Sequence, residues 1–348
     1  MTLTEATLPP MREAPHRDLC TDCGISRSSE PKRCGRACQF IAPDYSALES
    51  RVHGRARDPG RTDETFFGPF QRMLRASLSP PKAGAQWTGI TTRIAERLLE
   101  TGAVDAVLTM RPDAADAWKP VPVLVLVTRA EDMAGCRGMR MGFAPLLALL
   151  EPAIARGHRR LAVIGIPCQV YAVRALEQEL GFERLYVIGT PCSDNTTTEK
   201  FHALLDLVGE QLSVAPSSIT YLEFRADHRL ELRFADGSTK LIPFLQLPIS
   251  KLPSDFFPLT CRTCVDYTNV LADITVGYKG GEGEQWLLVR NDRGAELLGL
   301  LGDEVRVSSP GSAGKRAGAV KGFLGNVERA AGGLPLRRMP DWLRPVVG

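Results

Sequence analysis

Long hydrophobic runs are missing from this sequence. No stretch approaches the ~20 apolar residues of a membrane-spanning helix; Val121–Val127 and Leu146–Leu150 are the longest, and they suit buried strands and helices. An excess of either charge is missing too. The chain has 43 Lys and Arg against 40 Asp and Glu, a net charge of +3. Nucleic-acid binding rests on clustered basic excess, so no nucleic-acid partner is expected. Lysine is scarce within that basic total, and the arginine excess points to a GC-rich bacterial gene without bearing on chemistry. Histidine is scarce as well: five residues, none paired at metal spacing, with His53 and His202 reading as surface residues. No G-x-G-x-x-G turn follows an apolar strand pattern, so the nicotinamide dinucleotide fingerprint is absent. Met1 to Pro15 has no apolar core and carries Glu5 and Glu13. Neither a secretory signal nor a transit peptide is expected there, and the expected location is the cytoplasm.

What remains is an ordinary globular composition, 44% apolar and 24% charged, over 348 residues. That length suits two domains, or one large α/β domain with appendages. Residues 1–80 are proline-rich, with little periodicity beyond Phe70–Leu78. From Gly84 onward helical spacing (Ile90–Glu100, Gln169–Leu180, Glu199–Val208) alternates with strand patterns. The strands expected are Val104–Met110, Val121–Thr128, Arg160–Ile166 and Arg184–Thr190, with a further helix at Ala144–Glu151. This rhythm predicts βαβ units. After Val214, Ile219–Arg225, Arg229–Phe234 and Thr239–Pro243 predict an antiparallel meander with turns at Ala226–His228 and Asp236–Gly237. The expected fold class is α/β: a mainly parallel sheet with flanking helices, an antiparallel β segment and an irregular N-terminal segment. The expected divisions are 1–80, 81–165, 166–310 and a tail at 311–348.

Nine cysteines in a chain without an export signal are not explained by disulfides. Cys20-x2-Cys23-x10-Cys34-x3-Cys38 places four thiols in one short segment, and Cys261-x2-Cys264 supplies a second close pair. Ile164-Gly-Ile-Pro-Cys168 and Ile188-Gly-Thr-Pro-Cys192 share the form I-G-x-P-C, each after an expected strand. If those strands are parallel neighbours, both thiols lie beyond carboxyl strand ends, where open α/β sheets bind ligands. Cys168 and Cys192 with Cys261 and Cys264 then form a second set of four, leaving Cys136 as a non-ligand. Structural zinc prefers two C-x2-C knuckles. Thiolates scattered over strand ends suit a buried iron–sulfur cluster better, while zinc stays open.

Other candidates are less specific. Gly84-Ala-Gln86-Trp87-Thr88-Gly89-Ile-Thr91-Thr92 enters a helix, as a phosphate cradle or as a capped helix start. Ser193-Asp194-Asn195 precedes another helix with the same two readings. Asp273 and Gly277 follow the second C-x2-C, where Asp273 suits either a ribityl or ring contact or a strand end.

Taken together, Cys20-Thr-Asp-Cys-Gly24, Gly84-Ala-Gln-Trp-Thr-Gly-Ile90, Gly165-Ile-Pro-Cys-Gln169, Cys192-Ser-Asp-Asn195, Cys261-Arg-Thr-Cys-Val-Asp-Tyr-Thr-Asn269 and Ala272-Asp-Ile-Thr-Val-Gly277 resemble one family. It is that of the beta subunits of coenzyme factor-420 hydrogenases and dehydrogenases. Within it the chain looks similar to the ferredoxin-dependent chlorophyll-pathway reductases, over roughly residues 18–300. The resemblance implies FAD, two 4Fe–4S clusters on the eight cysteines, reduced ferredoxin as donor and a chlorophyllide-type tetrapyrrole as substrate. The implied reaction is reduction of an 8-vinyl group to ethyl; the alternatives are 7-hydroxymethyl chlorophyll a reduction and an electron-transfer beta subunit. Gly84, Gln86, Trp87, Thr88, Gly89, Thr91, Thr92, Asn195, Asp273 and Gly277 become flavin contacts under this resemblance. Asp194, Asp266 and Tyr267, beside the cysteine motifs, become candidate proton donors. The macrocycle needs an apolar face, for which Ile219–Pro243, Phe244–Pro248 and Phe256–Leu259 are available. A homo-oligomer and a place at the periphery of photosynthetic membranes are compatible with this reading. Lys279 stands where the family pattern suggests Met, and the C-terminus is shorter than the plant pattern suggests.

Overall fold

The computed structural model describes residues 20–41, 43–58, 60–225, 229–262, 264–277 and 284–309. Lys279, the Ala226–His228 turn and the 311–348 tail lie outside these residues. In chain order the helices are α1 (Arg33–Ala37), α2 (Tyr45–His53), α3 (Thr62–Phe67), α4 (Ile90–Glu100), α5 (Leu150–Ala155), α6 (Pro167–Leu180), α7 (Thr198–Leu212), α8 (Leu259–Arg262) and α9 (Asp292–Gly299). The strands are β1 (Arg72–Leu78), β2 (Ala106–Pro112), β3 (Pro120–Leu126), β4 (Arg160–Gly165), β5 (Arg184–Gly189), β6 (Ile219–Phe224), β7 (Arg229–Phe234), β8 (Thr239–Pro243), β9 (Ile274–Gly277), β10 (Gln285–Val289) and β11 (Val305–Ser308).

Eight strands form one sheet in the order β11-β1-β10-β9-β5-β4-β2-β3. Its centre, β2·β4·β5·β9, is parallel. Its flanks are antiparallel: β3 returns along β2, and β10, β1 and β11 extend the other side. Parallel strands need a crossover of a dozen or more residues. The short link between Pro112 and Pro120 therefore makes β2–β3, two strands expected in succession, an antiparallel hairpin at the edge of the parallel centre.

Side chains alternate across this sheet. Ala106, Leu108, Leu161, Val163, Leu185 and Val187 face one core, shared with Val170, Tyr171 and Leu176 of α6 and with Ala37, Tyr45 and Leu48 of α1 and α2. Val107, Ala162, Tyr186 and Ile188 face the other, filled by Ile90, Ile94, Leu98 and Leu99 of α4 and by Leu297 and Leu298 of α9. Each fully buried aliphatic side chain contributes about 1.5–3 kcal/mol over exposure. The N-terminal segment, expected to be irregular, is thus partly helical and docked: Tyr45 and Leu48 give it the apolar face that local periodicity concealed.

The expected meander is present as β6-β7-β8, with the Asp236–Gly237 turn in place and α7 packed on one face. Phe256 and Leu247 are consumed in that small core, whereas Leu245 is 97% exposed. No helix among the described residues is long and apolar enough to cross a membrane.

Candidate redox site

The twin I-G-x-P-C segments end neighbouring strands. β4 and β5 run parallel in register to Gly165 opposite Gly189. Proline cannot continue the ladder, so each chain turns away there. Pro167 instead opens α6, with Cys168 in its first turn and the Gln169 side chain accepting from the Ile166 amide at 3.2 Å. Cys192 continues into a loop, its amide donating to the Tyr267 carbonyl at 3.1 Å.

Asn269 ties the two ends together. Its buried Nδ2 donates to the Gly165 carbonyl at 2.8 Å and to the Thr190 carbonyl at 3.1 Å. Asn269 has a left-handed backbone (φ 60°), which Asn tolerates better than most residues. Gly189 makes the approach possible, because a Cβ there would lie 2.7 Å from Asn269 Cγ.

Around this clamp the eight thiols form one connected seam. Cys20, Cys23, Cys34, Cys38 and Cys168 line a small cavity of about 30 Å³ with Ile25, Ala37, Phe40 and Ile41. Thr21 Oγ1 lies 3.8 Å from Cys168 Sγ, and Gln39 Nε2 lies 3.6 Å from Cys264 Sγ. Cys168 is the junction: it interacts electrostatically with Cys23 and Cys38 on one side and with Cys261, Cys264 and Cys192 on the other. Burial pushes the Cys34 thiol to about 11, and those of Cys168, Cys261 and Cys264 to about 12. Bare, these thiols stay protonated; only bound cations would draw them into the thiolate form. Among the described residues no group of three or more His, Cys, Asp or Glu closes around a single metal ion. An all-sulfur donor set against an apolar wall fits a multi-atom iron–sulfur cluster better than a tight zinc tetrahedron. Cys136 stands outside the seam, its Sγ 3.7 Å from the Asp132 carbonyl.

The seam reaches a second, larger cavity of about 400 Å³ at Cys192. This cavity lies at the carboxyl ends of β4 and β5, where Gly165, Ile166 and Thr190 line it. Gln86, Trp87, Gly89, Thr91 and Thr92 form one wall, and Cys192, Ser193, Asp194 and Asn195 another. Trp87 is positioned from two sides. Its amide donates to the Glu223 carboxylate on β6, and its ring packs on Gly277, where a Cβ would sit 2.7 Å from the indole. Phe224, 37% exposed at the end of β6, also lines the cavity. Asp194 is half-buried, and desolvation pushes its carboxyl up to about 6.

Several sequence candidates lie elsewhere. Thr88 is buried; its hydroxyl accepts from the Leu78 amide and donates to Gln285, both at 3.1 Å, so it fastens the loop to the sheet. Gly84 is not part of the lining, although its carbonyl lies beside Gly138. Asp273 is fully buried and fully used: Arg174 (2.7 Å), Asn291 (2.9 Å) and Arg293 (3.0 Å) bond one oxygen and the Val187 amide the other. It supports the sheet and does not face the cavity. Asp266 accepts from the Val270 amide with both oxygens, closing a turn away from the cavity; burial pushes it up to about 6. Tyr267 lies near Cys192 and Asp194, its phenol pushed by burial to about 12. His53 is not a surface residue. It bonds the Val270 carbonyl at 2.8 Å and Asn291 at 3.2 Å, and burial lowers it to about 3. His202 does lie near the surface, paired with Asp116 at 2.8 Å.

Comparison with known proteins decides the family. It is described as "Coenzyme F420 hydrogenase/dehydrogenase, beta subunit"; residues 73–151 match its N-terminal model and residues 158–308 its C-terminal model. This chain belongs to that family. An uncharacterised protein of Nostoc sp. is 36% identical over 98% of this chain and 83% of its own length. The chloroplastic 7-hydroxymethyl chlorophyll a reductase of Oryza sativa subsp. japonica is 37% identical over 84% of this chain, which spans only 63% of that enzyme. One subunit of the F(420)H(2) dehydrogenase of Methanosarcina mazei is 28% identical over 68% of this chain and 64% of its own. A chain of the F420-reducing [NiFe] hydrogenase complex of Methanosarcina barkeri shares the fold, with TM-score 0.64 at 19% identity over 76% of this chain and 91% of that one.

In this member of the family, the segment Arg137–Gly142 is the part of the cavity that motif reading passed over. It contributes Arg137, Met139, Arg140 and Met141, joined by Met110 and Met133. Asn195 holds its end, donating to the Gly142 carbonyl and accepting from the Gly142 amide, both at 3.1 Å. Its sequence signal is weak: two glycines bracketing Met-Arg-Met without strand or helix period. The arrangement brings a line of eight sulfur donors up to a cavity with apolar, cationic and carboxyl walls.

Proposed function

We propose that this chain reduces a side chain of a chlorophyllide-class tetrapyrrole, the 8-vinyl group to ethyl, with reduced ferredoxin as electron donor. The observation that carries this reading is the connected seam of eight thiols ending at Cys192 in the wall of the larger cavity. When bound, two 4Fe–4S clusters would supply single-electron transfer and FAD two-electron reduction of the pigment. The chain's own residues do the rest. Cys20, Cys23, Cys34 and Cys38, with Cys168, Cys192, Cys261 and Cys264, hold the clusters. Gln86, Trp87, Gly89, Thr91, Thr92 and Asn195 bound the space for the flavin. Asp194, beside Cys192 in the cavity wall, holds a proton at its carboxyl for the second vinyl carbon. Phe224 and the methionines Met110, Met139 and Met141 give the macrocycle a polarisable apolar surface.

The second reading, 7-hydroxymethyl chlorophyll a reduction, is favoured by the 37% identity to the rice enzyme of that name. An anaerobic assay separates the two. Supplied with reduced ferredoxin and no NADPH, the chain is expected to convert divinyl chlorophyllide or protochlorophyllide to the 8-ethyl product. Turnover of 7-hydroxymethyl chlorophyll alone selects the second reading. Ferredoxin oxidation without turnover of either pigment selects an electron-transfer subunit.

A further inference from the structure

The larger cavity contains a cation without a counter-charge. Arg137 and Arg140 are its two basic lining residues. Arg137 is paired with Glu96 at 2.7 Å, a carboxylate that also takes Lys82 at 3.2 Å and Arg93 at 3.1 Å. Among the described residues no carboxylate comes within ion-pair reach of Arg140. Its Nη1 and Nη2 bond only carbonyls of its own turn, Gly138 at 3.3 Å and Arg137 at 2.8 Å. Its Nε is buried and has no hydrogen-bond partner. A half-buried guanidinium in that state is costly unless an anion completes it.

The turn that carries Arg140 is docked on the Gly84–Thr92 loop. Arg137 Nη1 donates to the Ala83 carbonyl at 3.1 Å. A Cβ on Gly138 would lie 3.5 Å from the Gly84 carbonyl and 4.0 Å from Arg140 Nη2. On the other side the Asn195–Gly142 pair anchors the same segment to the Cys192 loop. The guanidinium therefore stands between the loop and the strand ends. Arginine suits phosphate there because its planar fork matches two phosphate oxygens.

We propose that Arg140 is the counter-ion of a phosphate group of the flavin held in this cavity. The inference rests on the flavin reading above. The test uses the full chain stripped of flavin and titrated anaerobically with FAD, FMN and riboflavin, followed by flavin fluorescence. Arg140→Gln is expected to weaken FAD and FMN by about 10- to 100-fold, the worth of one charge-assisted hydrogen-bonded contact, and riboflavin by less than about twofold. Arg140→Lys, which keeps the charge, is expected to recover part of the loss for FAD and FMN. Equal weakening of all three flavins by Arg140→Gln, with no recovery in Arg140→Lys, would mean that Arg140 only supports the loop, and overturns the proposal. Unchanged flavin affinity with a raised KM for the pigment would assign Arg140 to a substrate carboxylate, and also overturns it. If the wild-type chain binds none of the three flavins, the flavin reading fails and this proposal fails with it. If the wild type binds them and Arg140→Gln binds FAD equally well, only the role of Arg140 fails.

Discussion

The two I-G-x-P-C strand ends are alike in sequence and unlike in surroundings. At the end of β4 the chain passes directly into α6, so Cys168 sits in a helical first turn facing the N-terminal thiols. At the end of β5 it enters a loop, so Cys192 opens on the larger cavity beside Asp194 and Asn195. The residue after the motif makes the difference. Gln169 bonds back to the Ile166 amide and starts a helix, whereas Ser193-Asp194-Asn195 bonds outward. One repeated motif thus supplies an inner junction and an outer outlet of a single seam. Asn269 keeps the two at a fixed separation.

The largest expected effect comes from removing either thiol. If the proposed clusters are held as described, Cys192→Ala and Cys168→Ala should each cost about half the bound iron, since each would remove a ligand. They should differ in what survives. Cys192→Ala should retain the spectrum of the N-terminal set, while Cys168→Ala, at the junction, should perturb both. Iron analysis with low-temperature electron paramagnetic resonance checks this, and identical spectra in the two variants would erase the distinction between the ends.

Asn269→Gly should come next. Glycine keeps the left-handed backbone and removes only the amide, so the Thr190 carbonyl loses its Asn269 donor while the Gly165 carbonyl keeps the Thr190 amide. Each buried group left unsatisfied costs about 1–3 kcal/mol. Thermal unfolding should fall accordingly and iron should be lost faster to a chelator. Unchanged behaviour would show that the backbone conformation, and not the clamp, is what the position requires.

A smaller, pH-dependent effect concerns the support under that clamp. His53 donates from Nε2 to the Val270 carbonyl and accepts at Nδ1 from Asn291, so its neutral form is the one that fits. Folding lowers it to about 3, from about 6.5 in the unfolded chain. The unfolded state therefore takes up the proton first. The contribution of His53 is complete above about pH 6.5 and is lost as pH falls towards 3. Urea melts between pH 7 and 5 should show stability falling, with a shallower slope in His53→Gln. Smallest of all, Cys136→Ala should leave iron content unchanged, since this thiol stands outside the seam.

Much of the fold was legible because it rests on local periods. β4, α6 and β5 alternate apolar faces clearly, and the twin motif marked their ends. The two strands of the β2–β3 hairpin were legible as consecutive apolar runs, and their short connection fixes the antiparallel sense. The roles of acidic residues were not legible. Asp273 has the chemistry to touch a cofactor, but Arg174 and Arg293, brought from distant positions, consume it. Asp266 likewise spends its oxygens on the backbone amides of Val270 and Asn269. His53 gave no sign of burial, because its partners Val270 and Asn291 are more than two hundred residues away. Arg140 was missed because its significance lies in the absence of a partner, which only the folded chain reveals.

In the proposed function the thiol seam holds redox clusters that serve a flavin in the larger cavity. Anaerobic purification followed by iron, acid-labile sulfide, zinc and flavin analysis of the full chain tests it most directly. The expected result is brown protein with about eight irons, about eight sulfides and about one FAD per chain, as two 4Fe–4S clusters and one flavin require. Colourless protein that holds only zinc after anaerobic reconstitution with iron and sulfide would contradict it.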